Sequence, residues 1–217
     1  MIPERMGIRE RFSRARFSKW LKKIFGKNHA RIGIYGPPNS GKTTLAGRLT
    51  KEWTGEDFGK VSSIPHETRR VNKKENVVIN NGKGRLEIDI LDTPGIATKV
   101  DYREFISYGL NEEEARTRAK EATEGVIEAI RWLDDIDGVL LVLDSCEDPY
   151  TQVNITILGN LEARKIPVLV VANKIDLPQS SPNAIASAFP QHKVVQISAL
   201  DGKNMEELYR GMFECFS

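Results

Sequence analysis

The stretch Arg31-Ile32-Gly33-Ile34-Tyr35-Gly36-Pro37-Pro38-Asn39-Ser40-Gly41-Lys42-Thr43-Thr44 decides how the rest of the chain is read. Its first five residues form a short apolar run, the pattern of a strand covered on both faces. A helical pattern, Lys42–Trp53, follows directly. Between the two lies a complete G-x-x-x-x-G-K-[ST] sequence from Gly36 to Thr43. Its glycines let the backbone wrap a ligand with no side chain in the way, so that successive N–H groups face one centre. The start of the helix adds its positive end. Lys42 brings a cation to the β- and γ-phosphates, and the Thr43 hydroxyl is a hard ligand for Mg²⁺. Gly36, Asn39, Ser40, Gly41, Lys42, Thr43 and Thr44 are therefore read as a nucleotide-phosphate cradle.

Working outward, short apolar runs alternate with helical patterns. The strand expectations are Arg31–Tyr35, Val77–Ile79, Leu86–Leu91, Gly138–Leu143, Val168–Ala172 and Val194–Ile197. The first and the last three are apolar enough for burial on both faces, and Asn80-Asn81-Gly82-Lys83-Gly84 reads as a hairpin turn. Helices are expected over Lys42–Trp53, Glu112–Asp134 with a break at Gly125, Thr151–Arg164, and Asn204–Phe216 with Asn204 and Glu207 as a capping box. The fold class is α/β: a mostly parallel six-stranded sheet with helices on both faces.

Two further motifs fall at carboxyl ends of strands, where such sheets bind ligands. Asp92-Thr93-Pro94-Gly95 follows the third strand. Asp92 can reach Mg²⁺, and Gly95 can offer its N–H to a γ-phosphate. Asn173-Lys174-Ile175-Asp176 follows the fifth strand and Ser198-Ala199-Leu200 the sixth. The Asp176 carboxylate accepts from the N1–H and exocyclic amine of guanine. Adenine lacks that paired donor edge, so GTP and GDP are the nucleotides expected. Lys174 lies along the base and Asn173 braces neighbouring loops.

The chain has 217 residues, 40% of them hydrophobic and 29% charged, which excludes both a disordered chain and a membrane-embedded one. The longest apolar runs, Val139–Leu143 and Val168–Ala172, are only five residues each, and the N-terminus lacks the apolar stretch of a secretory signal. Two cysteines, Cys146 and Cys215, have no metal-ligand spacing, and a cytoplasmic setting is expected. Asn154-Ile155-Thr156 matches a glycosylation sequon but is read as a chance match.

The net charge of +2 hides an asymmetry. Residues 1–28 hold nine Lys/Arg against Glu4 and Glu10, a local +7, which leaves −5 for the rest. Phe17, Trp20, Leu21, Ile24 and Phe25 share one helical face there. The division expected is a basic arm at 1–28 and a nucleotide-binding domain at 29–217. The residues leave open whether the arm packs on its own domain, stays a disordered tail, or binds RNA or an anionic membrane surface.

These motifs in this order resemble the Era, EngA and TrmE group of translation-factor-related GTPases, from about Arg31 to the C-terminus. The resemblance implies a P-loop G domain that hydrolyses GTP to GDP and phosphate with Mg²⁺. It also implies a switch I segment at Ser63-Ile64-Pro65-His66-Glu67-Thr68-Arg69-Arg70. Thr68, 25 residues after Thr43, is then a second Mg²⁺ ligand beside Thr43 and Asp92. Lys42, Thr68, Gly95 and Asn39 are the catalytic expectations. Asn39 matches an asparagine that helps that group bind K⁺, which would supply charge beside the phosphates. Position 96 is Ile96, not the glutamine that orients water in Ras-like enzymes, so slow intrinsic hydrolysis is expected. The KH domain that follows the G domain in Era is absent from this sequence, and 98–134 is longer than the group's G domain needs. The partner expected is an unknown macromolecule met through the switches and the arm, with a monomer or a nucleotide-dependent dimer as the acting species. A GTP-dependent binding or membrane-recruitment module with negligible hydrolysis is the alternative. An ATP-using kinase is disfavoured by Asn173 and Asp176.

Overall fold

The structure is a computed structural model that describes residues 29–55, 71–80, 85–97 and 101–216. The basic arm, Thr68 with its surrounding segment, and most of the 80–84 turn lie outside the described residues. Six strands make one sheet: β1 (His29–Tyr35), β2 (Asn72–Asn80), β3 (Arg85–Asp92), β4 (Gly138–Asp144), β5 (Val168–Asn173) and β6 (Val194–Gln196). Their order is β2-β3-β1-β4-β5-β6, with β2 antiparallel to β3 and every other pair parallel. The chain leaves β1 toward β3 on one side and returns to β4 on the other. The carboxyl end of β1 is therefore the point where the order reverses, the crevice in which doubly wound sheets hold ligands.

Strand alternation divides the core in two. Ile32, Ile34, Leu140, Val142, Leu169 and Val171 point to one face, under α1 (Lys42–Thr54) and α6 (Met205–Phe216). Tyr35, Leu141, Leu143 and Val170 point to the other, where Ala129, Ile157, Leu161 and Ile185 cover them. Those last four residues come from α3 (Glu112–Trp132), α4 (Gln152–Ala163) and α5 (Pro182–Ala188). Between β3 and α3 lies α2 (Tyr102–Ser107), whose Phe105 packs with Ala115 and Ala122 of α3 in a small cluster of their own.

Several expectations need correction. β2 runs well beyond Val77–Ile79, with a bulge between Lys74 and Val77, because a polar edge strand needs no apolar pattern; Lys73 there pairs with the buried Asp89 at 3.1 Å. β6 is an edge strand, with Val194 and Gln196 only half-buried. Gly125 does not break α3. It sits in a buried stripe with Ala115, Ala122 and Ala129, and the helix is fixed at its start by a capping box between Asn111 and Glu114. It ends at Trp132, where a 3₁₀ turn, Leu133–Asp135, takes over. Asn204 forms no capping box with Glu207: its backbone has φ 59° and its side-chain amide donates to Gln196 O. Asn154 is buried with its amide donating to Pro149 O at 3.1 Å, so the sequon nitrogen is not available to a glycan. No described helix is long and apolar enough to cross a membrane.

Candidate functional site

The loop from Gly36 to Gly41 joins the carboxyl end of β1 to the start of α1. Gly41 caps that helix at φ 93°, in the left-handed region that favours glycine, and a Cβ there would lie 2.2 Å from Asn173 Nδ2. Asn39 also takes a left-handed φ of 58°, which asparagine tolerates better than most residues, and is exposed. Ser40 is fully buried and its hydroxyl has no hydrogen-bond partner. Lys42 is buried as well, with Nζ donating to Pro37 O at 2.6 Å; Thr44 is half-buried. Burial pulls the Lys42 ammonium down to about 8, with Asp92 opposing that fall and Lys174 adding to it.

β3 delivers Asp92 to the same place. Thr43 Oγ1 donates to Asp92 Oδ2 at 2.7 Å, while Asp92 Oδ1 is buried with no hydrogen-bond partner. Burial pushes this carboxyl up to about 6, against the Thr43 hydrogen bond and the Lys42 charge. A buried carboxylate oxygen without a donor costs free energy. A hydroxyl beside it completes the hard-oxygen pair that suits Mg²⁺, which takes few protein ligands and leaves the rest to phosphate and water. No group of three His, Cys, Asp or Glu that could hold a metal occurs among the described residues, in keeping with such a sparse site.

The segment after Asp92 is stapled to the cradle. Thr93 Oγ1 donates to Ile34 O at 2.9 Å, and Ile96 N donates to Gly36 O at 3.1 Å. Gly95 lies so close to the loop that a Cβ would sit 2.7 Å from Pro38 Cα. Ile96 itself turns into the core, 6% exposed. Its side chain does not face the cradle.

On the other side, Asn173 bridges three segments. Its Nδ2 donates to Ser40 O at 2.9 Å, its Oδ1 accepts from Ala199 N at 2.9 Å, and its backbone carbonyl accepts from Ser145 N at 3.0 Å. Lys174 holds φ at 67°, an unfavourable backbone for its type, and reaches Asp144 Oδ2 at 2.6 Å. The Ser198 hydroxyl, with nearby Lys203 and Lys174, keeps the Asp176 carboxylate below its usual range against the opposing effect of burial. Ser198 and Ala199 are buried, whereas Leu200 is 70% exposed.

The structure thus gathers Gly36, Asn39, Ser40, Gly41, Lys42, Thr43, Thr44, Asp92 and Gly95 round the β1 loop. Asn173, Lys174, Asp176, Ser198, Ala199 and Leu200 stand beside them, joined through Asn173. Thr68 lies outside the described residues. Asp144 escaped the sequence reading. An acidic residue at the carboxyl end of a buried parallel strand was the available signal, the same one that marked Asp92.

Residues 31–174 match the 50S ribosome-binding GTPase family. The tRNA modification GTPase MnmE of Synechococcus sp. is 31% identical over 184 residues, covering 85% of this chain and 33% of that protein. GTPase Era of Carboxydothermus hydrogenoformans is 29% identical over 188 residues, 84% of this chain and 54% of Era. GTPase Der of Marinomonas sp. is 30% identical over 189 residues, 82% of this chain and 36% of Der. The chain therefore spans between a third and about half the length of these relatives. Among solved structures, a variant of Aquifex aeolicus Era bound to GDP.AlF4- superposes with a TM-score of 0.65 at 25% identity, over 87% of this chain and 57% of that one. Era in complex with MgGDPNP and nucleotides 1506–1542 of 16S ribosomal RNA gives 0.65 at 26% identity, with the same coverage of both chains. Sequence match, sheet order and the strand–loop–helix cradle agree: the chain belongs to the 50S ribosome-binding GTPase family.

Proposed function

We propose that this chain binds GTP and GDP with Mg²⁺ and hydrolyses GTP to GDP and phosphate, acting as a nucleotide-controlled switch. The observation that carries the reading is the Thr43–Asp92 pair, 2.7 Å apart, with an unpartnered carboxylate oxygen beside buried Lys42. Thr43 and Asp92, joined by Thr68 in the GTP state, would hold Mg²⁺, which when bound neutralises charge developing on the phosphates. Lys42 and the backbone N–H groups of Asn39–Thr44 bind the phosphates and stabilise the same charge. Gly95 offers its N–H to the γ-phosphate. Asp176 selects guanine by accepting from two donors that adenine does not present, Lys174 covers the base, and Asn173 ties the base loops to the cradle. Ser198, Ala199 and Leu200 close that side.

Hydrolysis is slow without help, because the buried Ile96 can neither hold nor polarise water. Asn39, exposed in the loop, would hold a K⁺ that would supply the missing charge. Single-turnover assays with GTP and ATP in KCl and NaCl test these points: GTP is cleaved, ATP is not, and KCl accelerates the reaction. Equal affinity for GTP and ATP refutes the base reading, and equal rates in the two salts remove Asn39 from the mechanism. Ile96 also favours a second reading, a GTP-dependent binding or membrane-recruitment module with negligible hydrolysis; phosphate release below one turnover per hour in KCl would support it.

The partner is met through the switch segments and the arm at 1–28. The 16S rRNA bound in the Era complex favours RNA or the ribosome over an anionic membrane surface. Binding to RNA falls steeply with salt. Binding to anionic vesicles that is lost on deleting 1–28 would move the assignment to lipid. Sedimentation with GDP and with a non-hydrolysable GTP analogue distinguishes a monomer from a nucleotide-dependent dimer. A cytoplasmic setting, peripheral at a membrane if lipid is the partner, goes with this reading.

A further inference from the structure

One side chain outside every nucleotide motif joins the two halves of the site. Arg48 lies on α1, six residues after Lys42, and its guanidinium reaches across to the loop that follows β6. Nε donates to Ala199 O at 2.5 Å and Nη2 to Leu200 O at 2.5 Å. This is a fork engaging two successive carbonyls, a geometry that arginine has and lysine lacks. The fork is braced from behind. Glu52, one turn further along α1, stands 3.8 Å from Nη1 and in turn accepts from the Tyr209 hydroxyl on α6. The loop makes room for it: Gly202 has φ 76°, and a Cβ there would lie 2.5 Å from Nη1.

The two carbonyls belong to Ala199 and Leu200, in the same loop as the groups that meet Asn173 and Asp176. Ala199 N donates to Asn173 Oδ1 at 2.9 Å, and the neighbouring Ser198 hydroxyl helps hold the Asp176 carboxyl below its usual range. We propose that Arg48 is a positioning residue for guanine recognition: it fixes the 198–200 loop to the phosphate-binding helix, and so sets where Asp176 and Asn173 stand relative to the bound phosphates. Arg48 acts through the loop and touches no nucleotide. The inference deepens the proposed function and rests on its assignment of Asp176 to the base.

The test compares GDP, IDP and ADP binding to wild type, R48A and R48K, with the melting temperature of each nucleotide-free protein as a fold control. IDP retains N1–H but lacks the 2-amino group, so the GDP-to-IDP ratio reports how well Asp176 is aimed. Wild type prefers GDP to IDP and rejects ADP. In R48A the affinity for GDP falls about tenfold and that for IDP much less, so the preference collapses. R48K keeps the charge but cannot fork across both carbonyls, and loses the preference as well. If R48A weakens GDP and IDP equally, or R48K restores the wild-type ratio, the positioning role is overturned. If wild type does not distinguish GDP from ADP, it is the proposed function that fails.

Discussion

Asp92 offers the sharpest quantitative prediction. Replacing it with asparagine removes a carboxylate whose Oδ1 is buried without a partner and whose pKa burial raises from 3.8 to about 6. A carboxyl raised in the folded state holds its proton there after the unfolded chain has released it. Its contribution to stability is therefore greatest below the unfolded value of 3.8 and is lost as pH rises through 6. The full shift corresponds to about 3 kcal/mol, of which roughly 0.5 is already lost at pH 4. Between pH 4 and pH 7 the wild type should thus lose about 2 kcal/mol relative to D92N. Lys42, pulled down to about 8, stays protonated across this window and does not confound the comparison.

The assay is thermal or urea unfolding of both proteins in EDTA without nucleotide, at intervals from pH 4 to pH 7. For a chain of this size the expected change is ~4–8 °C in the difference between the two melting temperatures, moving in favour of the variant as pH rises. The absolute offset is not diagnostic, since the amide also puts a buried N–H₂ where an oxygen stood. A difference that stays constant over the whole range would refute the reasoning, because Asp92 would then ionise alike in folded and unfolded chains. The same substitution should abolish the extra stabilisation that Mg²⁺ adds to bound GDP.

The other perturbations probe separate links. Tyr35→Phe removes a fully buried hydroxyl that donates to Ala129 O at 2.9 Å, and should cost about 1 kcal/mol, read as a fall of ~2–4 °C in melting temperature. Gly41→Ala forces a Cβ to within 2.2 Å of Asn173 Nδ2 at a φ of 93°; it should destabilise the protein by about 1–3 kcal/mol and weaken GDP binding, both measured against wild type by unfolding and by nucleotide titration. Asp176→Asn exchanges an acceptor for a donor opposite the 2-position of the base, so GDP binding should fall on the order of 100-fold while XDP binding improves, as a competition assay would report.

What the sequence made legible was whatever burial or backbone chemistry dictates locally. The runs at Val139–Leu143 and Val168–Ala172 are apolar because both their faces are covered, and the structure puts them at the centre of the sheet. Gly36 and Gly41 mark the strand–loop–helix turn because their positive φ favours glycine, and Lys42-Thr43 mark it by the chemistry of their side chains. The misses follow the same logic in reverse. β2 has one open edge, so its polar start carries no strand signal. α5 is only about two turns long and opened by Pro182, too short for a periodicity to show. Asn204 has the right spacing from Glu207 for a cap, yet the β6 carbonyl at Gln196 competes for its amide and wins. The partners of Asp144 and Arg48 were hidden for a different reason. Each acts on a partner distant in sequence, Asp144 on Lys174 and Arg48 on Ala199 and Leu200, and only the order of strands in the sheet brings those pairs together.

That order also constrains how the proposed switch can move. β3 lies beside β1, so the residues leaving β3 run along the cradle before they diverge from it. Thr93 is bonded to Ile34 O, Gly95 is pressed against Pro38, Ile96 N is bonded to Gly36 O, and the Ile96 side chain is sealed in the core. Residues 92–96 therefore cannot swing without breaking the packing under β1. A nucleotide-driven rearrangement has to start after Ile96 and travel toward α2 and the first half of α3, which share a small core round Phe105, while Ala129 holds the far half of α3 on the sheet. In the proposed switch Ile96 thus has a mechanical use: by anchoring the near end of the segment, it holds Asp92 and Gly95 against the cradle.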